Sequence, residues 1–139
     1  MTSLSTRAPG SAPVLHLIDS EAETLAGLAV RIESRQPDLA RLLFEEIDRA
    51  ELHTADDLPA HTVAMNSHVA YVDESSGTRR TVQVVYPQDA DIDAGRISVL
   101  TPIGAGLIGL SEGASIVWPD RDGHDRVLRI ESVRPGSGG

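Results

Sequence analysis

Asp89, Asp91 and Asp93 recur at alternate positions, the opening pattern of a calcium-binding loop. Such a loop needs a glycine at its sixth position for the sharp turn and a bidentate glutamate at its twelfth, and counted from Asp89 those places hold Ala94 and Leu100. The three aspartates therefore read as a solvated acidic loop, as do the adjacent carboxylates Glu45-Glu46 and Asp56-Asp57. His16, His53, His61, His68 and His124 show no His-x-x-Glu-His or comparable ligand spacing, and there is no cysteine to join them in a zinc site. Neither Ser67 nor Ser98 lies in a Gly-x-Ser-x-Gly elbow. Gly104-Ala105-Gly106 lacks the third glycine of a dinucleotide fingerprint and the Lys and Ser/Thr of a phosphate loop. The expectation is a protein with no catalytic residue, no metal and no cofactor, whose serines have a structural or interface role and whose glycines let a helix approach a sheet closely.

Charge narrows the choice of partner. The 139 residues carry a formal net charge of −9, and phosphate-backbone binding depends on Lys and Arg releasing counterions, so direct nucleic-acid binding is disfavoured. A basic protein surface, or a protein channel normally occupied by nucleic acid, suits this chain better, with electrostatics mainly speeding the encounter. The absence of cysteine fits a reducing cytoplasm. No run approaches the roughly 20 apolar residues of a membrane span, and no apolar signal core precedes residue 14, so a soluble cytoplasmic protein without membrane contact is expected.

Several elements must position any binding surface. Met1 to Pro13 has linker composition, and residues 1–18 are expected as a mobile N-terminal segment. Ser20 to Glu23 has capping-box spacing, and Leu25, Leu28, Ala29 and Ile32 follow at helical steps, which predicts a helix from about Glu21 to Arg35. Pro37 suits the first turn of a second helix, whose apolar stripe is Leu39, Leu42, Leu43, Ile47 and Ala50, ending near Leu52. The short link predicts an antiparallel helical hairpin, a short coiled coil over residues 19–53, about four turns or 20 to 25 Å tall. Its tip is Arg35-Gln36-Pro37-Asp38.

From Ala60 the pattern is β. Val63 with Met65, Val69 to Val72, Thr81 to Tyr86, Ile97 to Leu100, Ser115 to Trp118 and Arg126 to Val133 read as strands of an antiparallel sheet, with Asp120 to Gly123 as a hairpin loop. Thr101 caps a helix with Pro102 at its first position. The fold class is α+β: a helical hairpin, then a domain over 60–134 in which the sheet wraps around one short helix, then a mobile tail over 135–139.

Six segments in order carry a resemblance over nearly the whole chain: Glu46-Ile47-Asp48-Arg49-Ala50, Val63-Ala64-Met65-Asn66-Ser67, Val85-Tyr86-Pro87, Ser98-Val99-Leu100-Thr101-Pro102, Leu107-Ile108-Gly109-Leu110 and Ser115-Ile116-Val117-Trp118-Pro119. Together they resemble the regulator of nucleoside diphosphate kinase (Rnk) family, relatives of the Gre transcript-cleavage factors. The resemblance implies an FKBP-like C-terminal domain and a hairpin shorter than that of Gre factors. It also implies binding to RNA polymerase near its secondary channel in competition with Gre factors, and an influence on nucleoside diphosphate kinase. Where the family continues into an acidic tail containing Tyr-Gln-Pro, this chain has Arg134-Pro135-Gly136-Ser137-Gly138-Gly139.

By the same resemblance, the polymerase contact falls on Leu100, Thr101, Pro102 and Ile103. Gre factors carry an Asp before a Ser-Pro pair there; this chain has Leu100 and Thr101 in those places and retains Pro102. Gre-type cleavage needs acidic tip residues to help hold a second Mg²⁺. Here the tip offers Asp38, which also suits the positive end of a helix. A regulator acting by occupancy is therefore expected over a Gre-like cleavage factor. An FKBP-type prolyl isomerase is a weaker alternative still, because Phe44, Tyr71, Tyr86 and Trp118 are the only aromatics and Phe44 belongs to the hairpin.

Overall fold

The computed structural model describes residues 14–119 and 125–136. Met1 to Pro13, the expected hairpin loop Asp120 to Gly123 with His124 after it, and Ser137 to Gly139 lie outside the described residues.

Helix α1 (Asp19–Ile32) buries Ala22, Leu25, Ala29 and Ile32, one stripe at three- and four-residue steps. It starts at Asp19, and Ser20 does not cap it. The chain enters directly from a strand, which puts Ile18 at the N-cap, where its apolar side chain can make no capping bond. Helix α2 (Pro37–Arg49), with proline in its first turn, buries Leu39, Ala40, Leu43 and Glu46. The link of residues 33–36 turns the chain back so that α2 packs on α1, with Ala29, Ile32, Leu39, Ala40 and Leu43 in one cluster.

Two short strands close the base of this hairpin. β1 (His16–Ile18) and β2 (Glu51–His53) pair in parallel, with His16 opposite Glu51 and Ile18 opposite His53. Residues 15–18 of the expected mobile segment are therefore part of the fold: Leu15 and Leu17 are 1% and 3% exposed and belong to the main core. The second helix likewise stops at Arg49 instead of near Leu52, since Ala50 is already extended and β2 takes Glu51 and Leu52.

Strands β3 (His68–Asp73), β4 (Thr78–Val85), β5 (Arg96–Ser98), β6 (Ser115–Pro119) and β7 (Asp125–Arg134) form a five-stranded sheet in the order β5-β4-β3-β7-β6. The sheet is mixed, not antiparallel as expected. β5 runs parallel to β4 because the intervening chain makes two 3₁₀ turns, Pro87–Asp89 and Ile92–Ala94, and leaves them through Gly95 at φ 77°. The three alternate aspartates sit here as exposed turn residues.

Val63 and Met65 are buried but form no strand. His61 and Asn66, at φ 63° and 73°, bracket the segment and break any ladder, leaving a single bridge from Thr62 to Ser111. The tail is anchored at its start, since a Cβ on Gly136 would strike the Asn66 backbone.

Helix α3 (Pro102–Leu107) lies between the sheet and the hairpin. Leu107 belongs to the core with Leu15, Leu25, Val69, Val84, Val99 and Ile130, while Ala105 belongs to the cluster with α1 and α2. Leu100 packs against both clusters. The hairpin is thus held against the sheet domain through α3.

Candidate partner-binding site

The loop before α3 is organised by Ser98. Its Oγ accepts from Leu100 N at 2.9 Å, and its carbonyl accepts from Thr101 N at 3.0 Å and Thr101 Oγ1 at 2.6 Å. Thr101 Oγ1 also accepts from Gly104 N at 3.2 Å, the cap expected for this helix. The hydroxyl is thus engaged within its own loop. Leu100, Thr101 and Ile103 are half-buried, and Pro102 is exposed.

Pro102 touches two surface depressions. One, of about 500 Å³, is lined by Tyr71, Val82, Ile92, Ile97 and Ile103 among others. Tyr71 is the single aromatic among its lining residues, so it lacks a wall of rings. The other, of about 750 Å³, is lined by Arg35, Gln36, Pro37, Asp38, Leu39, Leu42, Pro102 and Val117. The two regions singled out in the sequence, the hairpin tip and Pro102, therefore form one continuous face. Val117 completes it, 47% exposed on β6. Asp38 lies in the first turn of α2, 3.8 Å from Arg41, so its charge serves the helix end and a local ion pair.

Glu46 corrects the reading of Glu45-Glu46 as solvated acids. It is 8% exposed, and its Oε1 finds no hydrogen-bond partner among the described residues. Leu39 and Leu43 stand seven and three residues before it on the buried face, so the helical period carried the signal. Burial pushes its pKa up to about 8, against the lowering effect of Arg49 and with a further push from Glu45. Below the ordinary value of 4.5 the carboxyl is protonated whether the chain is folded or not, and no penalty arises. As pH rises from there to about 8 the unfolded chain ionises first, so this group's contribution to stability is lost across that window. Urea melts between pH 5 and pH 8 are expected to show a decline on the order of a few kcal/mol from this group, which Glu46→Gln abolishes.

Ser67 is buried and its Oγ accepts from Ala64 N at 3.0 Å, a structural role. Glu21 ties α1 to the segment before β3 by accepting from Met65 N at 3.1 Å. His16, Glu51 and His53 come together across β1 and β2, a grouping invisible in local spacing because it depends on strand pairing.

Residues 58–135 match the family model described as transcription elongation factor GreA/GreB, C-term, a span that includes the Leu100-to-Ile103 loop but not the hairpin. The regulator of nucleoside diphosphate kinase of Escherichia coli (strain K12) is 33% identical over 124 residues, covering 87% of this chain and 91% of that protein. The chain belongs to the GreA/GreB family, as a relative of that regulator. It is a Gre-family, transcription-related factor. Transcription elongation factor GreA of Acidiphilium cryptum is 40% identical over 94 residues, 68% of this chain and 59% of that protein. Among solved structures, the prokaryotic transcription elongation factor GreA/GreB from Nitrosomonas europaea is similar over 88% of this chain and 99% of its own, with 33% identity and a TM-score of 0.70. No helix among the described residues is long and apolar enough to cross a membrane.

Proposed function

We propose that this chain is a non-enzymatic transcription regulator that binds RNA polymerase near its secondary channel and competes there with Gre factors. The observation that carries this reading is the shared face of the hairpin tip and Pro102. One docking event engages both, and the tip brings a single carboxylate, the exposed Asp38, 3.8 Å from Arg41. Holding a second ion takes more than one carboxylate, and the tip Arg35-Gln36-Pro37-Asp38 has one, so it fills space without supplying that site. Helix α1, with 14 residues, is about 21 Å long, and its partner α2 packs on α3, which limits the hairpin's reach. The chain's net charge of −9 favours encounter with a basic protein surface.

Binding to core RNA polymerase, measured with the purified chain, tests this reading. Association at micromolar concentration supports it, and no association there contradicts it. We extend the proposal to an influence on nucleoside diphosphate kinase, which rests on the name of the Escherichia coli relative. A kinase assay with purified components separates direct contact, which changes the rate, from an effect through transcription, which does not.

A further inference from the structure

We propose that His16, Glu51 and His53 form a zinc site that ties β1 to β2 at the base of the hairpin. Glu51 and His53 are two residues apart on β2 and so project to the same side, and the parallel register sets His16 opposite Glu51. His16 Nδ1 lies 3.0 Å from His53 Nε2 and 3.6 Å from Glu51 Oε1, and the three ligand atoms lie within 4.8 Å of one another. In a tetrahedral zinc site, with bonds of about 2.1 Å, ligand atoms stand about 3.4 Å apart. The two short separations straddle that value.

The surroundings also fit. His16 and His53 side chains are 20% and 17% exposed, so their rings are held, whereas Glu51 is 63% exposed and free to adjust its carboxylate. Behind His53, Asp57 Oδ2 lies 4.0 Å from its Nδ1, beyond hydrogen-bond distance but on the side away from the metal-facing nitrogen, where a small rotation of this exposed carboxylate would let it accept from the ring. Two imidazoles and one carboxylate leave a fourth position for solvent, a donor set suited to zinc. Without metal, the short His16–His53 contact is an N–H···N hydrogen bond with one ring donating and the other accepting; zinc takes both facing nitrogens as lone pairs, so the donating ring carries its proton on its other nitrogen, and the carboxylate is added. The ion would join residues separated by the whole hairpin, so binding is coupled to its closure.

The test uses the full chain, stripped with a chelator and titrated with zinc chloride by calorimetry, with thermal unfolding read in parallel. One zinc per chain is expected, with a dissociation constant of about 10 μM or tighter and a rise in the unfolding midpoint. Cobalt substitution is expected to give the intense visible absorption of a four-coordinate site. His16→Asn and His53→Asn are each expected to weaken binding about tenfold or more, and Glu51→Gln, at an exposed side chain that does not support folding, about tenfold. His61→Ala, at a histidine paired with Glu112 at 3.3 Å, keeps full affinity. Binding weaker than about 100 μM, or tight binding that survives Glu51→Gln and the histidine variants unchanged, overturns the proposal.

Discussion

Gly104→Ala is expected to destabilise the protein by about 3 kcal/mol, a large share of a typical domain's total stability. A Cβ at this position would strike the Ser98 carbonyl and the Val99 Cα. These are backbone atoms of β5 and the turn after it, so no side-chain rotation gives relief. The same Ser98 carbonyl receives Thr101 N and Oγ1, and pushing it away loosens the cap that starts α3. Because α3 carries Leu107 into one core and Ala105 into the other, the disturbance reaches both. Gly27 provides the contrast, since it lies in α1 with nothing within 4 Å of an added Cβ. There the same substitution is expected to stabilise by about 0.5–1 kcal/mol through helix propensity. Urea denaturation of the two variants should therefore move in opposite directions, and a Gly104→Ala midpoint equal to that of the parent would contradict the close packing described for α3.

Pro102→Arg and Val117→Arg are each expected to weaken RNA polymerase binding about tenfold or more, equivalent to about 1.4 kcal/mol. The groove between tip and loop offers Pro37, Leu39, Leu42, Pro102 and Val117 as its apolar surface. A guanidinium placed there must be desolvated on docking, and it opposes the attraction between an acidic chain and a basic partner. Both positions are exposed, so neither change opens a cavity in the core. Val30→Arg, on the exposed side of α1 and outside the groove, is expected to leave affinity unchanged. Calorimetric titration of core polymerase with the three variants checks the pattern. Equal loss at all three positions would mean that added positive charge, and not the groove, governs binding.

What was legible in the sequence was what repeats locally. The stripes of α1 and α2, the Thr101-Pro102 helix start and the longer strands all announce themselves within a window of a few turns or alternations. β1 and β2 do not, because three residues each carry no period, and their strand character comes from pairing with one another across the hairpin. The histidine grouping was hidden for the same reason. Glu46 was hidden differently: its adjacency to Glu45 suggested a solvated acidic pair, while the Leu39 and Leu43 stripe placed it on the buried side. The parallel direction of β5 depends on the two 3₁₀ turns and Gly95, whose combined path no pattern of apolar residues encodes. The candidate face lies in two separate pieces of the sequence, and only the packing of the hairpin onto α3 joins the tip to Pro102.

Occupancy without chemistry is tested most directly on a backtracked elongation complex supplied with GreA. Added in excess, this chain is expected to slow GreA-stimulated release of short 3′ RNA fragments and to release none when GreA is omitted. Fragment release by the chain alone, or GreA activity unaffected by saturating amounts of it, would contradict a regulator that works by filling the site.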